Sequence, residues 1–180
     1  MCIRDSHKVR LWMKQIDTFQ QYTGPITYGI AVRKLQMNKT DEEKEADLQN
    51  IPDPVKRQAR KETMEKGIDA PIVMNSLRKA GEFLNQLEAN IEDSGWIAGD
   101  KFSMADACTL PYIQRLDHLA LSEAFSKEKR PKINKWYKKV KNLEFFDKAV
   151  TSQIPPPLVE MMNAFGEEVK DKALTLMEEN

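Results

Sequence analysis

The side chains able to form covalent bonds or hold a metal are sparse: Cys2 and Cys108, His7 and His118. A cysteine becomes a nucleophile when a nearby cation or helix N-terminus stabilises its thiolate. Cys108 stands in the apolar run ACTLP with no cation beside it, so it reads as a buried structural thiol. His7 and His118 lack ligand spacing and no cysteine or carboxylate cluster supports them, so no metal site is expected. The glycines form no G-x-G, no phosphate-cradling loop and no G-x-S-x-G elbow. The pair with informative spacing is Ser103 and Asp106, in GWIAGDKFSMADACTLPYIQRLDHLAL over 95–121. Three residues apart before an apolar run, they form a capping box: each side chain reaches the other's backbone N–H. Phe102 and Ala107 are placed to staple the same turn. The role expected of this pair is structural, and losing either partner should cost about 1 kcal/mol.

The elements that must position these residues are helical. Val9, Trp12, Met13, Ile16 and Phe19 mark one face, and Gly24-Pro25 should kink or divide that helix before Ile26, Ile30 and Leu35. From Met37 to Asp69 the chain turns polar; Thr40 with Glu43 forms a second capping box, and Asp53 caps a helix running to about Gly67. Residues 71–91 repeat Leu77, Ala80, Leu84, Leu87 and Ile91 on one face, with Pro71 suited to the first turn. The helix after Ser103 is apolar around its first turns, which predicts a central helix covered on several sides; Pro111 should bend it, and His118 falls at its end. A further helix turns Ile133, Trp136, Tyr137 and Val140 inward. The tail from Thr151 carries IPPP and an amphipathic stretch over 158–176 that either wraps onto the bundle or frays. No useful segment alternates with period two, so the fold class is all-α, a helical bundle.

The composition narrows the functional classes. Lys+Arg 28 balances Asp+Glu 28 in 180 residues, which gives no global pull toward nucleic acid or an anionic membrane. No apolar run is long enough to span a bilayer, and the N-terminal residues lack a signal-peptide core, so a cytoplasmic location is expected. Two cysteines make no disulfide framework. The basic run from Lys127 to Lys141 interleaves Trp136 and Tyr137, as nucleic-acid binders do, but those aromatics share helical spacing with Ile133 and Val140. They belong to the core and the lysines to a solvated face, so neither nucleic acid nor membrane is an expected partner.

The stretch WIAGDKFSMAD resembles the pattern W-[LI]-x-G-[DE]-x-[FL]-[ST]-x-A-D of the C-terminal helical domain of cytosolic glutathione transferases. VRLWMKQID resembles the start of that domain's first long helix, and RPKINKWYKKVKNLEFFDKAV its closing helices. IPDPVKRQARKETMEKGIDAP is similar to bacterial members of the lignin β-etherase and reductive-dehalogenase type. The resemblance covers 8–150, leaving 1–7 as a non-native or linker lead and 151–180 as a C-terminal helical tail. It implies glutathione as co-substrate, a small hydrophobic electrophile as second substrate, and a homodimer. It also implies a thioredoxin-like N-terminal domain that binds and ionises the glutathione thiol; the chain resembles a transferase truncated of that domain, with no catalytic residue of its own.

In the family the first long helix lines the electrophile pocket. The resemblance therefore makes Trp12, Ile16, Phe19 and Tyr22 substrate-binding candidates, joined by Tyr112 and Arg115 from the central helix. Leu11, Tyr22, Ile26 and Tyr28 spread beyond one helix face, so they are expected to need cover from the second domain, and part of the set to form an exposed apolar patch without it. Helical domains of this kind also occur as non-catalytic assembly modules in elongation-factor and tRNA-synthetase complexes. The alternative function is such a protein-interaction module, with the basic run as its docking surface.

Overall fold

The first helix does not end at Gly24 and Pro25. In the computed structural model, which describes residues 3–179, α1 (Ile3–Thr27) runs through Pro25 and continues as a π-helical segment, Tyr28–Val32, into α2 (Arg33–Gln36). Proline cannot donate to the preceding turn and crowds its carbonyl, and a wider turn is one way for a helix to absorb the defect. The wide turn buries Tyr28, Gly29, Ile30 and Ala31 consecutively, a set that no single α-helical stripe would produce. A Cβ at Gly29 would lie 2.7 Å from the Val73 side chain, so this segment sits hard against its neighbour.

The polar stretch that follows folds as α3 (Asp41–Gln49) and α4 (Pro54–Lys66). Thr40 and Glu43 complete their capping box, and Asp53 accepts from the N–H groups of Val55 and Lys56. The central strut is α5 (Pro71–Asn90), whose Leu77, Ala80, Leu84 and Leu87 are all fully buried, as the unbroken repeat predicts. Its main neighbours are α1 and, at the far end of the sequence, α10 (Lys170–Glu178). Between them come α6 (Met104–His118), α7 (Pro131–Lys141), the short α8 (Phe146–Ala149) and α9 (Pro156–Glu167). The described residues contain helices and loops and no strand, an all-α fold.

The tail wraps. Met162 of α9 and Ala173, Leu174, Leu176 and Met177 of α10 join the same apolar core as α1, α5, α6 and α7. The approach is backbone-close: a Cβ on Gly81 would fall 1.8 Å from the Met177 carbonyl oxygen, and one on Gly166 2.0 Å from that of Leu119. On α7, Ile133, Trp136, Tyr137 and Val140 are buried, so the interleaved aromatics of the basic run belong to the core.

Three expectations are corrected. First, α6 is not apolar-buried all round. It covers Ala105, Thr109, Leu110, Ile113 and Leu116 on one broad face, while Met104 is 59% exposed and Pro111 is exposed. The neighbouring helices close over only that face. Second, Cys108 is half-buried, because it lies at the edge of the covered face. Third, Ile26 and Tyr28 do not need cover from a second domain. Leu11 is 50% exposed and Tyr22 partly so, but Ile26 is 1% and Tyr28 8% exposed. The wide turn directs them into the bundle, and Arg60 of α4 lies over the Tyr28 ring with its guanidinium carbon 3.7 Å from the ring centroid. The polar 37–69 stretch supplies cover that its composition does not advertise.

Candidate functional site

The Ser103–Asp106 turn is a polar hub centred on the fully buried Asp106 carboxylate. Asp106 Oδ2 accepts from the Ser103 N–H and hydroxyl, both at 2.9 Å, completing the carboxylate arm of the capping box; the Ser103 oxygen faces the Asp106 N–H more loosely. Oδ1 accepts from Ile97 N–H at 3.1 Å and Trp136 Nε1 at 2.8 Å. One carboxylate therefore ties the 95–103 loop, the start of α6 and the middle of α7, and has no open lone pair facing a cavity. The Trp136 contact is invisible in sequence because thirty residues separate the partners. Phe102 stands edge-on to Trp96 at 5.7 Å and to Phe145 at 5.3 Å, sealing the same turn.

A second assembly is an aromatic row along the contact of α1, α5 and α6. The Trp12 ring lies 5.8 Å from Phe83, which stacks on Phe19 at 4.2 Å; Phe19 meets the edge of Tyr112 at 5.7 Å and lies 6.4 Å from Tyr22. The buried end of the row is anchored: Trp12 Nε1 donates to Thr109 Oγ1 at 2.7 Å, and that hydroxyl donates to the Ala105 carbonyl. Trp12, Ile16 and Phe19 are buried in the core, whereas Tyr22, Tyr112 and Arg115 are half-buried.

Tyr112 and Arg115 line a cavity of about 480 Å³ with Thr23, Thr27, Tyr28 and Arg60. The cavity lies where the end of α1 and its wide turn meet α6 and α4. Of the six candidates for substrate contact, Tyr112 and Arg115 reach this wall; Phe19 and Tyr22 flank it through ring contacts, and Trp12 and Ile16 stand behind. Trp12 reaches a different cleft, of about 830 Å³, at the other end of α1, where Lys8, Lys14, Glu92, Asp93, Asp100 and Lys132 add ionic groups to a mixed lining that includes Leu11, Ile91 and Ile97.

The electrostatics of the smaller cavity are cationic. Arg115 donates to the Met162 sulfur at 3.0 Å and has no carboxylate within ion-pair reach among the described residues; burial lowers its proton affinity, though a guanidinium stays charged. Burial, then the Asp17 charge, pushes the Tyr112 hydroxyl up, so it remains a protonated donor near neutrality. At the end of α6, burial followed by the charge of Arg115 pushes His118 down, favouring the neutral imidazole, and its Nδ1 is buried without a partner. The arrangement offers an aromatic wall, hydroxyls and a desolvated cation. It is suited to holding and orienting a ligand. Among the described residues no group of three or more His, Cys, Asp or Glu could hold a metal, and no helix is long and apolar enough to cross a membrane.

Sequence reasoning missed Arg60 as a cavity residue, and it grouped Tyr28 with the other aromatics of the first long helix without choosing it for the site. The Gly-Pro break marked the bend that places Tyr28, but nothing in α4 distinguishes Arg60 from the cations beside it.

Residues 51–144, just over half of the chain, match the family described as Glutathione S-transferase, C-terminal domain. Neither the curated proteins nor the solved structures provide a match.

Proposed function

From its membership of the glutathione S-transferase C-terminal domain family, to which this chain belongs, we propose that it is the electrophile-binding part of a glutathione transferase. The observation that carries the reading is the aromatic row, which runs from Trp12 through Phe83 and Phe19 to Tyr112 and ends at the cavity. A buried, ring-stacked support holds Tyr112 in place, and a rigid aromatic wall orients an apolar second substrate at low entropic cost. Glutathione is the co-substrate, held and ionised by a thioredoxin-like domain working beside this one, in a homodimeric enzyme. Desolvation at the α1–α6 wall would favour attack of the thiolate on the electrophile.

Binding of a neutral aromatic probe tests this reading. Titrating the chain with 2-naphthamide should shift the backbone NMR resonances of Thr23, Tyr28 and Tyr112 together. Shifts confined to the 8–15 and 86–100 segments would move the binding surface to the ionic cleft and overturn the assignment.

A further inference from the structure

We propose that the cavity between α1, α4 and α6 takes an aromatic carboxylic acid, its ring against Tyr112 and Tyr28 and its carboxylate held by Arg115 and Arg60. The inference rests on the proposed electrophile-binding role and narrows its substrate class.

The arginines carry the argument. Among those whose side chains the structure describes, Arg10 donates to the Ser6 carbonyl, Arg33 to the Met64 and Glu65 carbonyls, and Arg57 to the Ile51 carbonyl. Arg78 pairs with Glu179, and Arg130 binds Asn85, the Ala124 carbonyl and Glu178. The two without any oxygen acceptor are Arg60 and Arg115, and both line this one cavity. A guanidinium presents five N–H donors, and its planar fork matches a carboxylate. Arg115 spends one donor on a thioether, a weak acceptor, although the side chain is half-buried; Arg60 spends its face on the Tyr28 ring. The half-buried, unpaired Arg115 is costly unless a ligand completes it, whereas Arg60 is exposed and solvated until a ligand arrives. Asp17 acts on Tyr112, but no carboxylate of the described residues pairs with Arg115. The anion must then come with the ligand. The Tyr112 hydroxyl adds a protonated donor at the same wall, and Tyr112, Tyr28 and Pro111 supply apolar faces for a ring.

The test compares 2-naphthoate with its neutral isostere 2-naphthamide by calorimetry on the 180-residue chain. Naphthoate should bind at least about tenfold more tightly, the scale of one charge-assisted hydrogen bond. Arg115→Gln and Arg60→Gln should each bring the naphthoate-to-naphthamide affinity ratio close to one. Arg60 is exposed, so its variant keeps the test meaningful even if Arg115→Gln unfolds. Equal binding of the two ligands overturns the carboxylate assignment while leaving the electrophile-binding reading intact; no binding of either removes both. A naphthoate preference that survives both substitutions also overturns the assignment. So does acetate binding as tightly as naphthoate, or displacement of naphthoate by S-methylglutathione at equal affinity, which would give the cations to a bare anion or to the co-substrate.

Discussion

Asp106 accepts hydrogen bonds from Ile97, Ser103 and Trp136, so a single side chain of α6 fixes a loop, a cap and a second helix. Replacing it with alanine leaves the Ile97 and Trp136 donors buried and unpaired. Each such donor costs about 1–3 kcal/mol, and the lost cap adds about 1 kcal/mol. Asp106→Ala should therefore lower the thermal midpoint by roughly 10 °C, at about 2–4 °C per kcal/mol for a chain of this size. Circular dichroism melting checks it. An unchanged midpoint would remove Asp106 from the account of stability, and loss of activity of the chain joined to a thioredoxin-like domain, without loss of stability, would move it toward the reacting groups. Arg115 is the contrasting case: it lies on the same helix and is half-buried, yet among the described residues a sulfur is its sole hydrogen-bond partner. Satisfied on every side, Asp106 reads as structure, whereas the incompletely paired Arg115 reads as a place for a ligand.

At the scale of elements, close backbone approach decides how the tail is held. The Gly81 position lets α10 lie on α5, and a Cβ there would meet the Met177 carbonyl oxygen at 1.8 Å. That contact is with backbone, so no side-chain rotation relieves it and α10 must shift. Overpacking of this kind costs about 1–3 kcal/mol. Gly81→Ala should speed amide hydrogen exchange across 170–178 more than across α7; uniform or absent change would show that α10 is not held through this contact. Nothing in the local sequence marks Gly81 as a crossing point, because its partner is almost a hundred residues away. The elements that were legible are those set locally: the Thr40, Asp53 and Ser103 caps, and the α5 face, whose repeat no proline interrupts. The bend after Pro25 was legible as a disturbance, but its form was not. A π-helical turn buries consecutive residues, and periodicity analysis assumes constant twist. The same limit hid part of the candidate site: Tyr112 and Arg115 could be placed by resemblance, while Tyr28 needed the bend and Arg60 needed the packing of α4.

At the scale of the whole molecule, the described residues form a helical bundle, and the cavity between α1, α4 and α6 is proposed to hold a ligand. Conjugation demands something further. A free thiol with a pKa near 8.5 is only about 3% thiolate at pH 7, so a transferase must stabilise that anion beside the electrophile. In this chain the Tyr112 hydroxyl is pushed up by burial and by Asp17, and the Arg115 cation is proposed to face the ligand's carboxylate. Neither is thereby assigned to the thiol, whose activation the family resemblance places in a thioredoxin-like domain. The 180-residue chain, mixed with glutathione and 1-chloro-2,4-dinitrobenzene, should therefore produce conjugate no faster than buffer. Joined to a thioredoxin-like domain carrying an activating Ser, Tyr or Cys, it should produce it measurably faster. Conjugation by the unjoined chain above the buffer rate, lost in Tyr112→Phe or Arg115→Gln, would place thiol activation in the helices and turn the binding wall into the catalytic centre.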